Sequence, residues 1–522
     1  MNTIFFNGPI YGHPEADAVL VISDMIYHLG TLQECRNLTT HAIQEIDLKG
    51  RMLLPAFTDA HTHFVEYSKS RLLVDLLKCH SIPQIEDYLQ NYRDHLSWEA
   101  KWIIGGGWNR NVLDNPMDLN RFVLDKIFPD IPVALYSRDY HAKLCNSKAL
   151  KIAGIREDSL APAGGKFERM ADGKLSGVLF ETAAELIDPY IIPAPETEVL
   201  NSIEETVKDI HRWGLTGFHL MEYKASKELL LQAQNHGSKF RFCWHFQAPE
   251  LDEMIAREMR SYDGDEFFKL GGLKLFGDGS LGSRTGAMFE PYPDQPDNFG
   301  ILRYQDEELF AVMEKAAQRG FASTVHAIGD RSVRQLIDCT LKLNENPAYH
   351  DLFQRIEHVQ SIRLSDIPDL KRSGLFASLQ PVHIANDIPM IHESWPHVEH
   401  EAYAFKSMLE AGIPYAFGSD APIETMNPFH GIYSALQRRH KVDPDKEALN
   451  PAEAISVQQA IDGYTIGAAM ASCSEQIRGR IEKGYLADLI IIEDYRQLPV
   501  EYWIDAKSLL TMIDGEIVYE DL

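Results

Sequence analysis

Four apolar, strand-like runs of this chain each end in side chains able to bind a metal ion, and that recurrence limits the folds open to it. The first, Met52-Leu53-Leu54-Pro55-Ala56-Phe57, leads into His61-Thr62-His63. The others are Ser323-Thr324-Val325-His326, Arg355-Ile356-Glu357-His358 and Tyr415-Ala416-Phe417-Gly418-Ser419-Asp420, each followed by a polar or Gly-containing turn. Residues i and i+2 of a strand share a face, so His61 and His63 point the same way. Two neutral imidazoles on one face suit a borderline-soft divalent ion such as Zn²⁺. An H-x-H pair is weak evidence by itself in a chain with 21 histidines. Ligand-type residues at several strand ends are stronger, because the C-terminal strand ends of a (β/α)₈ barrel converge on one face.

Between these runs, helical and strand patterns alternate. Val199, Leu200, Ile203, Val207, Ile210 and Trp213 recur at helical spacing, the segment stops at Gly214, and Leu215 to Leu220 follows as a strand ending near His219, taken as the third of the barrel. Leu309, Phe310, Met313, Ala316 and Ala317, then Gly320 and a strand from Phe321 to His326, repeat the pattern. Such units imply a parallel sheet, and the ligand positions favour closure into a TIM barrel spanning 57–478. The ends of the chain read differently. Residues 1–56 and 479–522 form short β-segments, including an Asp514-Gly515 hairpin turn, and are expected to build one small β-sandwich from both termini. The stretch from His63 to Lys274 is about twice the roughly 100 residues that three βα units need. An inserted subdomain is therefore expected at about 80–195, including a hairpin with Asp172-Gly173 at its turn.

Of 522 residues, 45% are hydrophobic and 24% charged, as in a globular chain with a sizeable core. The net charge of −27 argues against nucleic acid as a partner, since phosphate binding needs clustered Lys and Arg. No run approaches the roughly 18 apolar residues of a membrane span, and the first residues lack a basic and apolar leader, so a cytoplasmic protein without membrane contact is expected. Six scattered cysteines without a C-x-x-C pair indicate neither a disulfide framework nor a Cys₄ zinc site. A homodimer is compatible with base rates, and no residue demands one. Gly277-Asp278-Gly279-Ser280-Leu281-Gly282 formally satisfies G-x-G-x-x-G, but Ser283 to Pro293 continues as loop chemistry rather than opening a helix, which excludes a dinucleotide site.

Pro55 to His63, Gly329-Asp330-Arg331, Glu357-His358, Gln380-Pro381, Gly418-Ser419-Asp420-Ala421-Pro422 and Gly484-Tyr485-Leu486-Ala487-Asp488-Leu489 together resemble the amidohydrolase superfamily. Within it they are similar to the amidohydrolase-3 (YtcJ-like) branch, which includes N-substituted formamide deformylase. The likeness runs nearly end to end. It implies a metal-bearing barrel with a composite β-sandwich, and by correspondence a ligand set of His61, His63, Lys274, His326, His358 and Asp420. Lys274 would be carboxylated by CO₂ if two ions are bound and unmodified if one is; Glu181 is a rival bridging carboxylate. Zinc is the expected metal, with Fe, Mn, Co and Ni also compatible.

The implied chemistry is hydrolysis of a C–N bond in a small molecule, of amide, N-formyl or N-acyl type, by an activated water, with Asp420 as general base and then acid. On sequence alone, Asp420 could equally cap the following helix. Tyr140, His141, Arg284 and His383 are the expected substrate contacts, with Asp278 close to Lys274 in sequence, and each could instead be a satisfied structural group. The alternatives are a mononuclear deaminase or cyclic amide hydrolase on the same barrel, and a metal-bound regulatory protein without turnover.

Overall fold

The computed structural model describes residues 2–39, 42–96, 98–113, 115–138, 141–439 and 447–522. Eight parallel strands form its central sheet in strict chain order: β1 (Phe57–Thr62), β2 (Leu215–Leu220), β3 (Arg241–Gln247), β4 (Phe268–Phe276), β5 (Ser323–Ala327), β6 (Arg355–His358), β7 (Phe376–Leu379) and β8 (Tyr415–Phe417). The sheet curls into a nearly closed barrel. The last turn is made by backbone bonds from the amides of Ser419 and Asp420 to His61 O, at 3.2 and 2.7 Å, and from His63 N to Ala421 O at 2.8 Å. Those bonds tie the ends of β1 and β8 together at the point where His61, His63 and Asp420 emerge. All residues of β1, β2, β3, β6 and β7 are buried, as expected of strands covered on both faces.

The crossovers follow the hydrophobic periodicity. Helix Asp306–Ala317 opens on a capping box between Gln305 and Glu308, buries Leu309, Met313, Ala316 and Ala317, and gives way to β5 after Gly320 at φ +80°. The segment ending in His219 is the second barrel strand, not the third. The six strands between β1 and this segment pair in a sheet of their own.

Two further four-stranded sheets flank the barrel's ends in sequence. One comprises Asn2–Phe6, Ala18–Ile22, Met25–Gly30 and Ile43–Asp47. In the other, Met52–Pro55 pairs antiparallel with Leu489–Ile492, followed by the hairpin Leu510–Ile513 and Glu516–Glu520. Asp514 and Gly515, at φ +55° and +70°, turn that hairpin, the conformation that favours Asp-Gly. This C-terminal sheet is bound to the barrel through Arg241 at the start of β3. Arg241 forks onto both oxygens of buried Asp488, at 2.7 and 2.9 Å, and reaches Asp514 at 3.1 Å.

The chain divides into two compact units, Met1–Val65 with Glu204–Leu522, and Glu66–Ile203. The second is wider at both ends than the expected insertion. Its sheet has six strands in the order Gly165–Arg169, Leu175–Glu181, Ala142–Cys145, Val133–Ser137, Ile103–Trp108 and Val74–Asp75, and its own core includes Leu89, Ile103, Leu124, Val133 and Leu144. The Asp172-Gly173 turn joins its first two strands, with Gly173 at φ +83°. Among the described residues, no helix is long and apolar enough to cross a membrane.

Candidate metal centre

At the C-terminal end of the barrel, His61 from β1, His358 from β6 and Asp420 after β8 bring donor atoms within 4.8 Å of one another. Local backbone makes this convergence. His358 sits at φ +77° and Asp420 at φ +58°, conformations that non-glycine residues adopt at a cost and that cluster at functional sites. Left-handed backbone at His358 breaks the strand alternation, so the consecutive residues Glu357 and His358 both serve the barrel interior. Asp59 straps β1 to β8, its Oδ1 accepting the amides of His61 and Ser419 at 3.0 Å each. Burial pushes the Asp59 carboxyl up to about 6.

Asp420 is the hub. Its Oδ1 lies 3.4 Å from Nε2 of His61 and 3.4 Å from Nε2 of His63, while its Oδ2 faces Nε2 of His383 at 3.8 Å. The hydrogen bonds of the remaining ring nitrogens fix which atoms are left for a ligand. His61 Nδ1 is 2.6 Å from Glu357, and His358 Nδ1 is 2.9 Å from Gln380 Oε1, so both donate there, which leaves Nε2 as the atom for a metal ion to take. His326 on β5 donates Nε2–H to Gly279 O at 2.9 Å and so presents Nδ1. Its ring centroid is 4.5 Å from that of His358, which is 4.8 Å from that of His61.

The electrostatics suit a cation. Burial drives His326 down to about 3 and His358 well below the usual histidine value, which keeps both rings neutral and able to ligate. Burial and Lys274 also push His61 down, but Glu357 and Asp420 outweigh them and raise it. Burial would raise Asp420, but hydrogen bonds from His61 and His63 hold it well below the usual carboxylate range, so it is an anion. Lys274 on β4 is 2% exposed, and burial pulls it down to about 8. Buried His383 Nε2 has no hydrogen-bond partner among the described residues, although it points at Asp420. Imidazole and carboxylate donors with fixed tautomers, one anion and an orphaned ring nitrogen fit a divalent metal.

The other expected site residues have partners of their own. Arg284, in the loop after β4, spends its fork on Asp294 at 2.6 Å and Glu393 at 2.5 Å. Asp278 is buried and accepts the amides of Ala287, Ile328 and Gly329 at 2.9–3.0 Å, anchoring the loops around His326. His219 accepts from Arg355 at 2.8 Å. His141 belongs to the second unit, where it pairs with Glu181 at 3.2 Å. Tyr140 lies outside the described residues. Glu357, Gln380 and Asp59 received no site role from the sequence. The available signal was the charged pair Arg355 and Glu357, two apart in a buried strand and hence on one face.

Gly418 leaves no room for a side chain beside His61. A Cβ there would lie 2.4 Å from His61 N and 2.9 Å from both Asp59 Oδ1 and His61 Cβ, all held by the strap. Gly418→Ala is therefore expected to cost about 1–3 kcal/mol by overpacking and to lower bound metal per chain. Thermal midpoint and plasma mass spectrometry on one preparation check both.

An eight-stranded parallel barrel with histidine and carboxylate donors at its strand ends defines a metal-dependent hydrolase of the amidohydrolase type. The model of the amidohydrolase family matches residues 44–519, and the chain belongs to that family, in its YtcJ-like branch. It is 31% identical to the putative amidohydrolase YtcJ of Bacillus subtilis, over all of both chains. It is 25% identical to the N-substituted formamide deformylase of Arthrobacter pascens, over 97% of this chain and 95% of that one. Among solved structures, an uncharacterized metal-dependent hydrolase from Pyrococcus furiosus superposes with a TM-score of 0.76 at 25% identity, covering 94% of this chain and 99% of the other.

Proposed function

We propose that this protein hydrolyses the C–N bond of a small amide or N-formyl compound, with Asp420 moving the protons and His61, His63, His326, His358 and Lys274 completing a divalent metal site. The observation that carries this is the buried His61–His358–Asp420 cluster at the barrel's C-terminal end. The similarity to a protein named a formamide deformylase favours a formyl or simple acyl group as the part removed.

A divalent ion held by these residues would supply a water of near-neutral pKa and polarise the substrate carbonyl. Asp420 accepts the proton of the attacking water on the oxygen not engaged by His61 and His63, then returns it to the leaving nitrogen as the C–N bond breaks. His383, with an unspent ring nitrogen beside that oxygen, hydrogen-bonds the substrate. Glu357 and Gln380 hold the His61 and His358 rings by Nδ1, so that Nε2 is the atom each would give to the metal. Lys274, its ammonium destabilised by burial, is the residue that would take up CO₂ with loss of a proton, and its carbamate would add anionic oxygens to the metal site.

One observation favours a single-ion centre, and with it a deaminase or cyclic amide hydrolase: the cluster within 4.8 Å comprises three residues. Metal content of wild type and Lys274→Ala, both purified with bicarbonate, separates these. About two ions per chain falling to one or none is expected, together with turnover of members of an N-formyl and N-acyl amine panel. One ion in both proteins would favour the single-ion centre, and no metal after reconstitution would remove the hydrolytic assignment.

A further inference from the structure

Beneath the candidate ligands lies a buried ion pair. Arg355 and Glu357, both on β6, are each 0% exposed and joined by Nε to Oε1 at 3.0 Å. The other glutamate oxygen accepts from His61 Nδ1 at 2.6 Å, with the His61 side chain 1% exposed. The remaining donors of Arg355 are also committed. Nη1 gives to His219 Nδ1 at 2.8 Å and Ala471 O at 3.3 Å, and Nη2 gives to Ala60 O at 2.9 Å. Burial, then the Arg355 charge, push His219 well below the usual histidine value, so it is a neutral acceptor.

A fully desolvated pair is a poor route to stability, since well-packed apolar residues commonly do as well. The arrangement here has a direction instead. Arg355 fixes Glu357 as an anion and grips the carbonyl of Ala60, the residue before His61. Glu357 then holds the His61 ring by the nitrogen that faces away from Asp420. We propose that Glu357, locked by Arg355, is the positioning residue of the metal centre: it sets the tautomer, orientation and basicity of His61 as a ligand through Nε2. This rests on the metal-dependent function proposed above.

The test compares wild type with Glu357→Gln and Glu357→Leu. Apparent zinc affinity is measured by competition with a chromogenic chelator, and the visible absorption of the cobalt-substituted proteins is recorded alongside. A glutamine oxygen can serve His61 or Arg355 but not both, and leucine serves neither. Affinity is therefore expected to fall by about 10- to 100-fold in Glu357→Leu and by less in Glu357→Gln, with shifted cobalt bands in both. Wild-type affinity and unchanged bands in folded Glu357→Gln would overturn the proposal, even if its melting midpoint drops, because that is the pattern of a purely structural pair. Glu357→Gln decides alone if the leucine variant does not fold. Failure of wild type itself to bind zinc or cobalt would instead remove the underlying function, and the positioning role with it.

Discussion

Asp420→Asn is expected to lower kcat by about 10²- to 10⁴-fold on any amide or formamide that the wild type hydrolyses, while the protein stays folded. Asparagine keeps the shape of aspartate and one oxygen toward His61 and His63, now 3.4 Å from Oδ1. It cannot take a proton from water or hand one to a leaving nitrogen. The anion is also what the site prepares: two histidine rings hydrogen-bond it, and they keep it ionised against the effect of burial. Because the same residue is a candidate ligand, kcat and metal per chain are to be measured on one preparation. Loss of kcat at unchanged metal content isolates the proton-transfer role. A kcat within tenfold of wild type would leave Asp420 as a ligand or helix cap only. The other site variants predict a different pattern, since Gly418→Ala and Glu357→Gln act on metal retention before they act on chemistry.

The barrel was legible because its strands are buried on both faces and so read as continuous apolar runs. Its candidate ligands were legible because His326, His358 and Asp420 interrupt such runs at their ends. What tertiary pairing decides was not legible. Ile103–Trp108 and Val133–Ser137 are apolar and parallel, like barrel strands, yet pair within a separate sheet, and His219 lies on the second barrel strand where the third was expected. The tautomers of His61, His326 and His358 depend on Glu357, Gly279 and Gln380, partners up to 296 residues away. Arg284 illustrates the converse. Its place after Lys274 suggested substrate, whereas its partners Asp294 and Glu393 come from a loop and a helix that no local pattern ties to it.

Asp488→Asn is expected to destabilise the protein by about 3–5 kcal/mol, the cost of leaving a buried guanidinium without its counter-charge. Arg241 is 1% exposed and gives both arms of its fork to Asp488; Arg478 approaches the same carboxylate at 3.3 Å, and the amide of Asp514 donates to it at 3.0 Å. The variant thus strands positive charge where the C-terminal sheet meets the barrel. The pH dependence has a definite sign. Burial raises the Asp488 pKa, but the charges and hydrogen bonds of Arg241, then Arg478, more than reverse this and hold it below its ordinary 3.8. The unfolded chain therefore binds the proton more readily than the folded one, and stability from this group rises with pH. It is complete above the unfolded value near 4 and is lost as pH falls through the lower folded value. The gap in thermal midpoint between wild type and Asp488→Asn should be constant from about pH 5 to 8 and narrow only below about pH 4. A gap that instead closes toward neutral pH would mean that Asp488 is protonated in the folded state, and that the charged fork does not hold the C-terminal sheet to the barrel.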